Sequence, residues 1–570
     1  MMITLGIHDG HTATACIMRD GKILACVSEE RLNRIKEWGG FPKKAILECL
    51  RITGIDPEEI DGVGITGLMP PTLPQSYQKP HWTKRAFVFG ARVLPERFLQ
   101  SNHWVKVAKA IGSLFRNRSE IKSRLRDLGI KKEPTFYEHH FLHAASAHYF
   151  CPFGNKENLV ITCDGSGDAI CATVSIGRGK HIERIVEISN YNSIGEFYTQ
   201  ITQFLGMKPM SHEYKVMGLA PYAKEEQAKK TLQQFEAYFE LDKQNPLVFK
   251  NKSGCWKWQF LDLFRNSLVG HRFDGIARAT QTLTEKILVE WIRNCIRKTG
   301  IGKLVLSGGV FMNVKANNLI LNLPEVEDLF IFPSCGDESL AIAAASVKGL
   351  ELGVNCVEPL GSIYFGPEFT EEKIENSLKS ISGKFNIEKI DDIEEFIGKE
   401  IAKGKIIARF SGRMEWGARA LGNRSILADP RNPDIIMKIN EAVKNRDFWM
   451  PFAPTILNER ADEYIINPKR FYAPYMIMAF PTTEKAKKEL KGALHPYDFT
   501  ARPQILSEKW NPSYYRILKT FEKETGIGGV LNTSFNLHGE PIVCSPEDAI
   551  YTFKNSLLDG LALGKYYISR

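Results

Sequence analysis

The chain has 570 residues, enough for roughly two to four domains, each with its own core. Hydrophobic residues make up 43% and charged residues 25%, and no stretch approaches the ~20 apolar residues of a membrane span, which sets aside disordered and membrane-embedded classes. The net charge is +9, and the eleven cysteines include no CxxC pair, which points to reduced, buried thiols in a cytoplasm rather than to a disulfide scaffold.

The first forty residues read as strand, turn, strand, strand. ITLGI opens the chain with no secretory leader pattern. His8-Asp9-Gly10-His11 forms the turn, TATACIM returns, and Asp20-Gly21 leads into KILACVS. Residues 71–133 then form a basic insert, with fourteen Lys/Arg from Lys79 to Lys132 against four acids, a net +10. Such charge suits an anionic substrate, a nucleic acid or a membrane surface, or is no more than a solvated pair of helices. Trp82, Phe87, Phe89, Phe98 and Trp104 are interleaved with it, so part of the insert must pack.

HHFLHAASAHYF contains no Gly or Pro and reads as a helix, which puts His139 and His143 on one face. The strand NLVITC follows, then Asp164-Gly165-Ser166-Gly167-Asp168 as a turn, then AICATVSI. This repeats the first hairpin at a spacing of about 155 residues and suggests two related α/β lobes. Two imidazoles on one face and a carboxylate from a nearby strand end make half a metal site. Local hydrogen bonding is the bland alternative.

Two later loops end strands and open helices, where ligands collect in α/β proteins. One is KLVLSGGVFMNVKANNLI, with a Gly308-Gly309 turn ahead of Asn313 and Asn317. The other is LFIFPSCGDESLAIAAASVKG, whose Asp337 is either a second carboxylate ligand or an N-cap. These features assign residues 1–352 to a first domain. Residues 353–368, punctuated by Gly and Pro, read as a linker, and 369–570 as a second domain. There Arg413, Arg419, Arg424, Arg431, Arg446 and Arg502 stand beside Gly, Ser, Thr or Asn in apolar context, which suits bidentate phosphate or carboxylate recognition. Pairing with Glu415, Asp429 or Asp498 is the alternative for each singly.

HHFLHAASA, DGSGD, EYKVMGLAPY, LSGGVFMN and PSCGDES, followed by GARALGNRSI, PFAP, TARPQ and LNTSFN, resemble the NodU/CmcH-type O-carbamoyltransferases over nearly the whole chain. The resemblance implies an α/β protein: an N-terminal two-lobed Kae1-like domain of the actin/hexokinase superfamily, then a C-terminal YrdC-like α/β domain. It implies formation of carbamoyl-adenylate from carbamoyl phosphate and ATP with Mg²⁺, releasing pyrophosphate and phosphate. The carbamoyl group then passes to a hydroxyl of a sugar or natural-product acceptor, with a bound divalent metal, iron(II) in that family.

By the same resemblance the metal ligands are His139, His143, Asp164 and Asp337. His11 and Lys36 match family positions near the acceptor side; a hydroxyl nucleophile needs a proton acceptor, and His11 is either that general base or a group that holds the anionic leaving group electrostatically. Gly165, Gly167, Asp168, Gly308, Gly309 and Asn313 form the transfer-site loops. Arg419, Arg424, Lys444, Arg446, Arg502, Asn532, Ser534 and Asn536 bind nucleotide and carbamoyl phosphate. One departure is Met450, where many relatives carry an arginine directly before PFAP. The phosphate contact there is either missing or supplied by a neighbour such as Arg446.

The competing reading is a tRNA threonylcarbamoylation-type enzyme acting on nucleic acid, which the basic insert suits. The second domain with TARPQ and LNTSFN resembles the O-carbamoyl family more closely. The hydrogenase-maturation family has the reverse domain order, and a sugar kinase explains neither the histidine pair nor the second domain. The partners expected are ATP, carbamoyl phosphate and a small-molecule or glycan hydroxyl. Nucleic acid is disfavoured, and a homo-oligomer is compatible with the sequence.

Overall fold

The structure is a computed structural model and describes residues 1–71, 73, 94–444 and 446–570. Trp82, Phe87 and Phe89 of the basic insert lie outside the described residues. The chain is α/β and divides into two compact units, one of residues 1–29 and 37–361, the other of 30–36 and 362–570.

The first unit holds two five-stranded sheets. One is built from β1 (Ile3–His8), β2 (Thr14–Arg19), β3 (Lys22–Ser28), β4 (Gly62–Thr66) and β5 (Pro134–Tyr137), in the order β3-β2-β1-β4-β5. The other uses β6 (Asn158–Gly167), β7 (Ile170–Arg178), β8 (His181–Ser189), β11 (Lys303–Ser307) and β12 (Asp328–Ile331), in the order β12-β11-β6-β7-β8. β9 (Phe239–Leu241) and β10 (Phe249–Asn251) form a separate small hairpin. Read from the meander end, the two large sheets share one plan. Three antiparallel strands come first, and two parallel strands are added beside the first of them. The repeated hairpin in the sequence is therefore part of a repeated lobe.

One detail differs from the expected turn. β6 runs on through the Asp164–Gly167 stretch, with its register to β7 broken after Cys163, and the reversal falls on Asp168 and Ala169, both at positive φ. The acidic run is thus an irregularity within a strand, which aims side chains where a regular ladder would not.

β1 and β4 are buried at every residue, as expected of strands with both faces covered. The helix Leu340–Glu351 covers one face, and its Ala-rich sequence allows unusually close approach. A Cβ on Gly6 would lie 1.8 Å from the carbonyl oxygen of Ala341, and one on Gly64 would lie 2.3 Å from that of Ala344. Asp337 heads this helix, so close packing on the sheet also sets where its carboxylate sits. In the described part of the insert, Trp104 packs with Phe98, Leu99, Tyr191 and Trp256. Arg116 forms a buried pair with Asp9 at 2.7 Å.

The second unit is built on one eight-stranded sheet: β13 (Asn386–Lys389), β14 (Ile407–Phe410), β15 (Arg424–Ala428), β16 (Ala453–Leu457), β17 (Gln504–Leu506), β18 (Gly529–Ser534), β19 (Gly560–Leu563) and β20 (Tyr566–Ser569). Their order is β13-β20-β19-β14-β15-β18-β16-β17. Its core gathers Ile426, Ala428, Leu531, Phe553 and Leu561. Residues 354–370 carry no helix or strand. Segment 30–36 follows β3 in the chain yet counts with this unit, where Arg34 donates to the carbonyls of Pro541 and Ile542 at 2.9 and 2.8 Å. All eleven cysteines are free thiols. Among the described residues no helix is long and apolar enough to cross a membrane.

Candidate functional site

The helix His139–Tyr149 begins at Glu138, whose carboxylate accepts from the backbone N–H of His140 and Phe141 at 3.0 and 2.8 Å. Burial opposes charge on Glu138, but Arg184 and Lys109 outweigh it and hold its pKa at about 2. Ala144, Ala145, Ser146 and Ala147 make the helix thin enough to sink into the core, and every residue except Phe141 is buried.

His139 and His143 leave this helix on one side, with their Nε2 atoms 3.1 Å apart. Asp164 Oδ2 lies 3.2 Å from His139 Nε2 and 3.7 Å from His143 Nε2. Asp337 Oδ1 lies 3.4 and 3.6 Å from the same two nitrogens. One ligand atom from each of the four residues lies within 4.8 Å of all the others.

The charges are strongly coupled. Burial disfavours the imidazolium of His139, but Asp337 and Asp164 overcome it and lift the pKa to about 9. His143 is raised in the same way, against burial, by Asp164 and Asp337. Asp164 is held well below the usual carboxylate range by the two histidines, although burial pushes the other way. A pocket that stabilises two carboxylates and needs two positive neighbours has the electrostatics of a cation site.

Supporting groups orient the four. His143 Nδ1 shares a hydrogen bond with Ser307 Oγ at 3.2 Å. The N–H of Gly309 donates to Asp164 Oδ1 at 3.1 Å. A Cβ on Gly167 would lie 2.1 Å from the His139 ring, so glycine there leaves the imidazole its place. Such outer contacts fix which ring nitrogen faces inward.

The other residues expected at this site divide. His11 belongs to this unit, and its buried Nε2 has no hydrogen-bond partner. A Cβ on Gly165 would face open space, whereas Gly308, at φ 107°, has the Cys163 carbonyl against it. The Asp168 carboxylate accepts from the N–H groups of His139, Leu68 and Met69 at 2.9, 3.0 and 2.8 Å, and so pins the start of the histidine helix. Asn313 exchanges hydrogen bonds with Gln281 and caps the helix Val314–Leu321 through Ala316 N–H. Lys36 counts with the second unit.

Sequence reasoning missed His8. Its Nε2 bonds to the His11 carbonyl at 2.9 Å and lies 3.7 Å from Asp337 Oδ2, and burial keeps the ring neutral with a pKa of about 4. Its place at the end of β1 was the available signal.

The second unit gathers cations. Lys444 is 2% exposed and ends a π-helical turn, Asn440–Lys444, of the kind found at functional sites. Its ammonium donates to the carbonyl of Ser534 at 2.5 Å and to Asn536 Oδ1 at 2.7 Å. Burial, with Arg446 and Lys36 nearby, presses its pKa well below the ordinary lysine range. Arg502 is disfavoured as a cation by burial and by Arg419 and Arg446. Arg446 lies over the Phe452 ring at 5.2 Å, while Met450 is buried.

The two terminal nitrogens of the Arg424 guanidinium donate to the carbonyls of Ser411, Asn423, Gly412 and Pro367, its Nε is buried without a partner, and it stacks on Phe410 at 3.7 Å with no exposed surface. Asn532 is buried too, and its amide donates to the Ala420 carbonyl and Thr455 Oγ1 at 3.2 and 3.1 Å, so it supports the Arg419 loop.

Residues 3–346 match the family described as carbamoyltransferase N-terminus, and residues 398–570 match carbamoyltransferase C-terminus. The chain belongs to the carbamoyltransferase family. This carbamoyltransferase is 33% identical to the nodulation protein NolNO of Sinorhizobium fredii over 99% of this chain and 79% of that protein. It is 26% identical to the 3'-hydroxymethylcephem-O-carbamoyltransferase of Amycolatopsis lactamdurans over 51% of this chain and 54% of that one. The resemblance to the NodU/CmcH-type enzymes therefore holds. Among solved structures, component A of the (R)-2-hydroxyglutaryl-CoA dehydratase of Acidaminococcus fermentans aligns with 62% of this chain and 100% of its own, at 13% identity and a TM-score of 0.33. In this carbamoyltransferase the four-residue histidine–aspartate cluster falls in the N-terminal family segment. Arg419, Lys444, Arg446 and Arg502 fall in the C-terminal one.

Proposed function

We propose that this carbamoyltransferase acts in the cytoplasm as an ATP-dependent O-carbamoyltransferase. Residues 369–570 form carbamoyl-adenylate from carbamoyl phosphate and ATP with Mg²⁺. Residues 1–352 pass the carbamoyl group to a hydroxyl of a sugar or natural-product acceptor, and 353–368 link the two. The observation that carries the reading is the set of like charges around Lys444. Arg446 and Lys36 bear on Lys444, and Arg419 and Arg446 bear on Arg502, a concentration of positive charge that suits a polyanion.

The roles of this chain's own groups follow from their positions. Ser534 and Asn536 hold the Lys444 ammonium in place. The cations would neutralise triphosphate and carbamoyl phosphate, lowering the repulsion between them. Carbamoyl-adenylate hydrolyses in water, so making and using it within one chain limits its loss. In the first unit His11, with its unpartnered ring nitrogen, would take the proton from the acceptor hydroxyl. His139, His143, Asp164 and Asp337 fit a divalent ion by donor type and mutual distance, a set that iron(II), manganese or zinc satisfies. Such an ion would supply Lewis acidity toward an adenylate phosphate or carbamoyl oxygen.

The test is incubation with ATP and carbamoyl phosphate, without acceptor. Pyrophosphate release that requires carbamoyl phosphate and falls at least about 100-fold in Lys444→Ala is expected. Conversion of ATP to ADP instead would sink the proposal.

A further inference from the structure

Between β14 and β15 the chain makes an excursion, residues 411–423, that carries Arg419. At its base Glu415 is 2% exposed. One carboxylate oxygen, Oε1, accepts from the N–H of Leu421 at 2.6 Å and of Arg424 at 3.2 Å. A single side chain thus closes the stretch of backbone in which Arg419 stands. Arg31 donates to the Gly417 carbonyl at 2.8 Å, and Asn532 ties Ala420 as described above. The backbone on both sides of Arg419 is therefore held, while its charge reaches Arg502.

The other oxygen, Oε2, is buried and has no hydrogen-bond partner. Burying a carboxylate is costly; this one offsets the cost as the opposite charge to the buried Arg424 and Arg409, and its hydrogen bonds go to the two backbone ties. A site that recognises phosphate needs its guanidinium aimed before the ligand arrives, because ordering a loop on binding weakens affinity.

We propose that Glu415 is a positioning residue of the anion site: by fastening Leu421 and Arg424 it sets the bend from which Arg419 reaches nucleotide phosphate. The inference rests on the reading of the second unit as the ATP site. It concerns a side chain that touches no substrate.

The experiment measures kcat and KM for ATP in carbamoyl-phosphate-dependent pyrophosphate release. Glu415→Ala raises KM for ATP by about tenfold and leaves kcat within about threefold. Glu415→Gln keeps the accepting oxygen and stays within about threefold of the parent in both constants. Arg419→Ala reproduces the KM rise, and the double variant Glu415→Ala/Arg419→Ala is no worse than either single one. An unchanged KM in Glu415→Ala, an equal loss in Glu415→Gln, or additive effects would overturn the assignment. If Glu415→Ala does not fold, Glu415→Asp replaces it, since one methylene fewer keeps the charge but withdraws the oxygen from Leu421, and an unchanged KM there overturns the assignment as well. Calorimetric titration with ATP alone separates the two claims. Parent protein that binds ATP without releasing pyrophosphate sinks the proposed reaction, and the variants' affinities still decide the role of Glu415. Parent protein that binds no ATP sinks both.

Discussion

Gly167 carries no chemistry of its own, yet the geometry of His139 depends on it. A methyl group there would overlap the imidazole at 2.1 Å, which the buried ring has little room to avoid. Gly167→Ala is expected to weaken metal binding by about tenfold or more, as loss of a supporting contact does at other sites. Metal content measured after dialysis against limiting metal checks it, and unchanged occupancy would remove Gly167 from the site. The same scale separates cations that look alike in sequence. Arg424 and Arg419 lie five positions apart, each two residues after a glycine, but Arg424 is fully buried with four carbonyl groups about it whereas the charge of Arg419 bears on Arg502. No pattern in GARALGNRS encodes that difference.

The helix Leu340–Glu351 shows how an element transmits packing to chemistry. It rests on Gly6 and Gly64 with backbone nearly touching backbone, so its height above the sheet leaves no tolerance. Gly6→Ala is expected to destabilise the protein by about 1–3 kcal/mol through overpacking. Because Asp337 heads the helix, metal affinity should fall as well. Denaturant titration and metal binding measured on the same variant test the link, and a loss of stability with full metal affinity would break it. The small-residue character of this helix was legible in SLAIAAASVKG. What it packs on was not, because Gly6 and Gly64 are contributed by chain more than 270 residues earlier. Likewise the His139–Tyr149 helix was legible, while its burial on nearly all sides, with His140 bonded to Thr162 and Ile170 and neutral at a pKa of about 3, was not.

At the scale of the whole molecule, two polar centres of opposite character are carried by two compact units. If each serves its own half-reaction, removing metal by a chelator should abolish transfer to an acceptor and leave acceptor-independent pyrophosphate release within about threefold of its original rate. Product carbamoylation and pyrophosphate assayed in parallel decide this. Joint loss of both would show that the metal serves the first half-reaction too, contrary to the proposal. Lys444→Ala should show the opposite pattern when pre-formed carbamoyl-adenylate is supplied, with transfer retained. The short segment 30–36 complicates a simple division, since it brings Lys36 to the second unit although the chain around it builds the first.

The sequence by itself determined the features that arise from short-range rules. These are the histidine pair at helical spacing, the repeated strand-turn-strand, the Gly-rich turns at strand ends and the arginine-rich second half. The family followed from their order along the chain. Only the tertiary structure decided what each polar group is for. Asp164 faces two imidazoles while Asp168, four residues on, is used up on backbone N–H groups. The reason is that periodicity and turn chemistry are settled by neighbours in the chain. Whether a buried charge is satisfied or left to meet a ligand depends on partners brought from far along it.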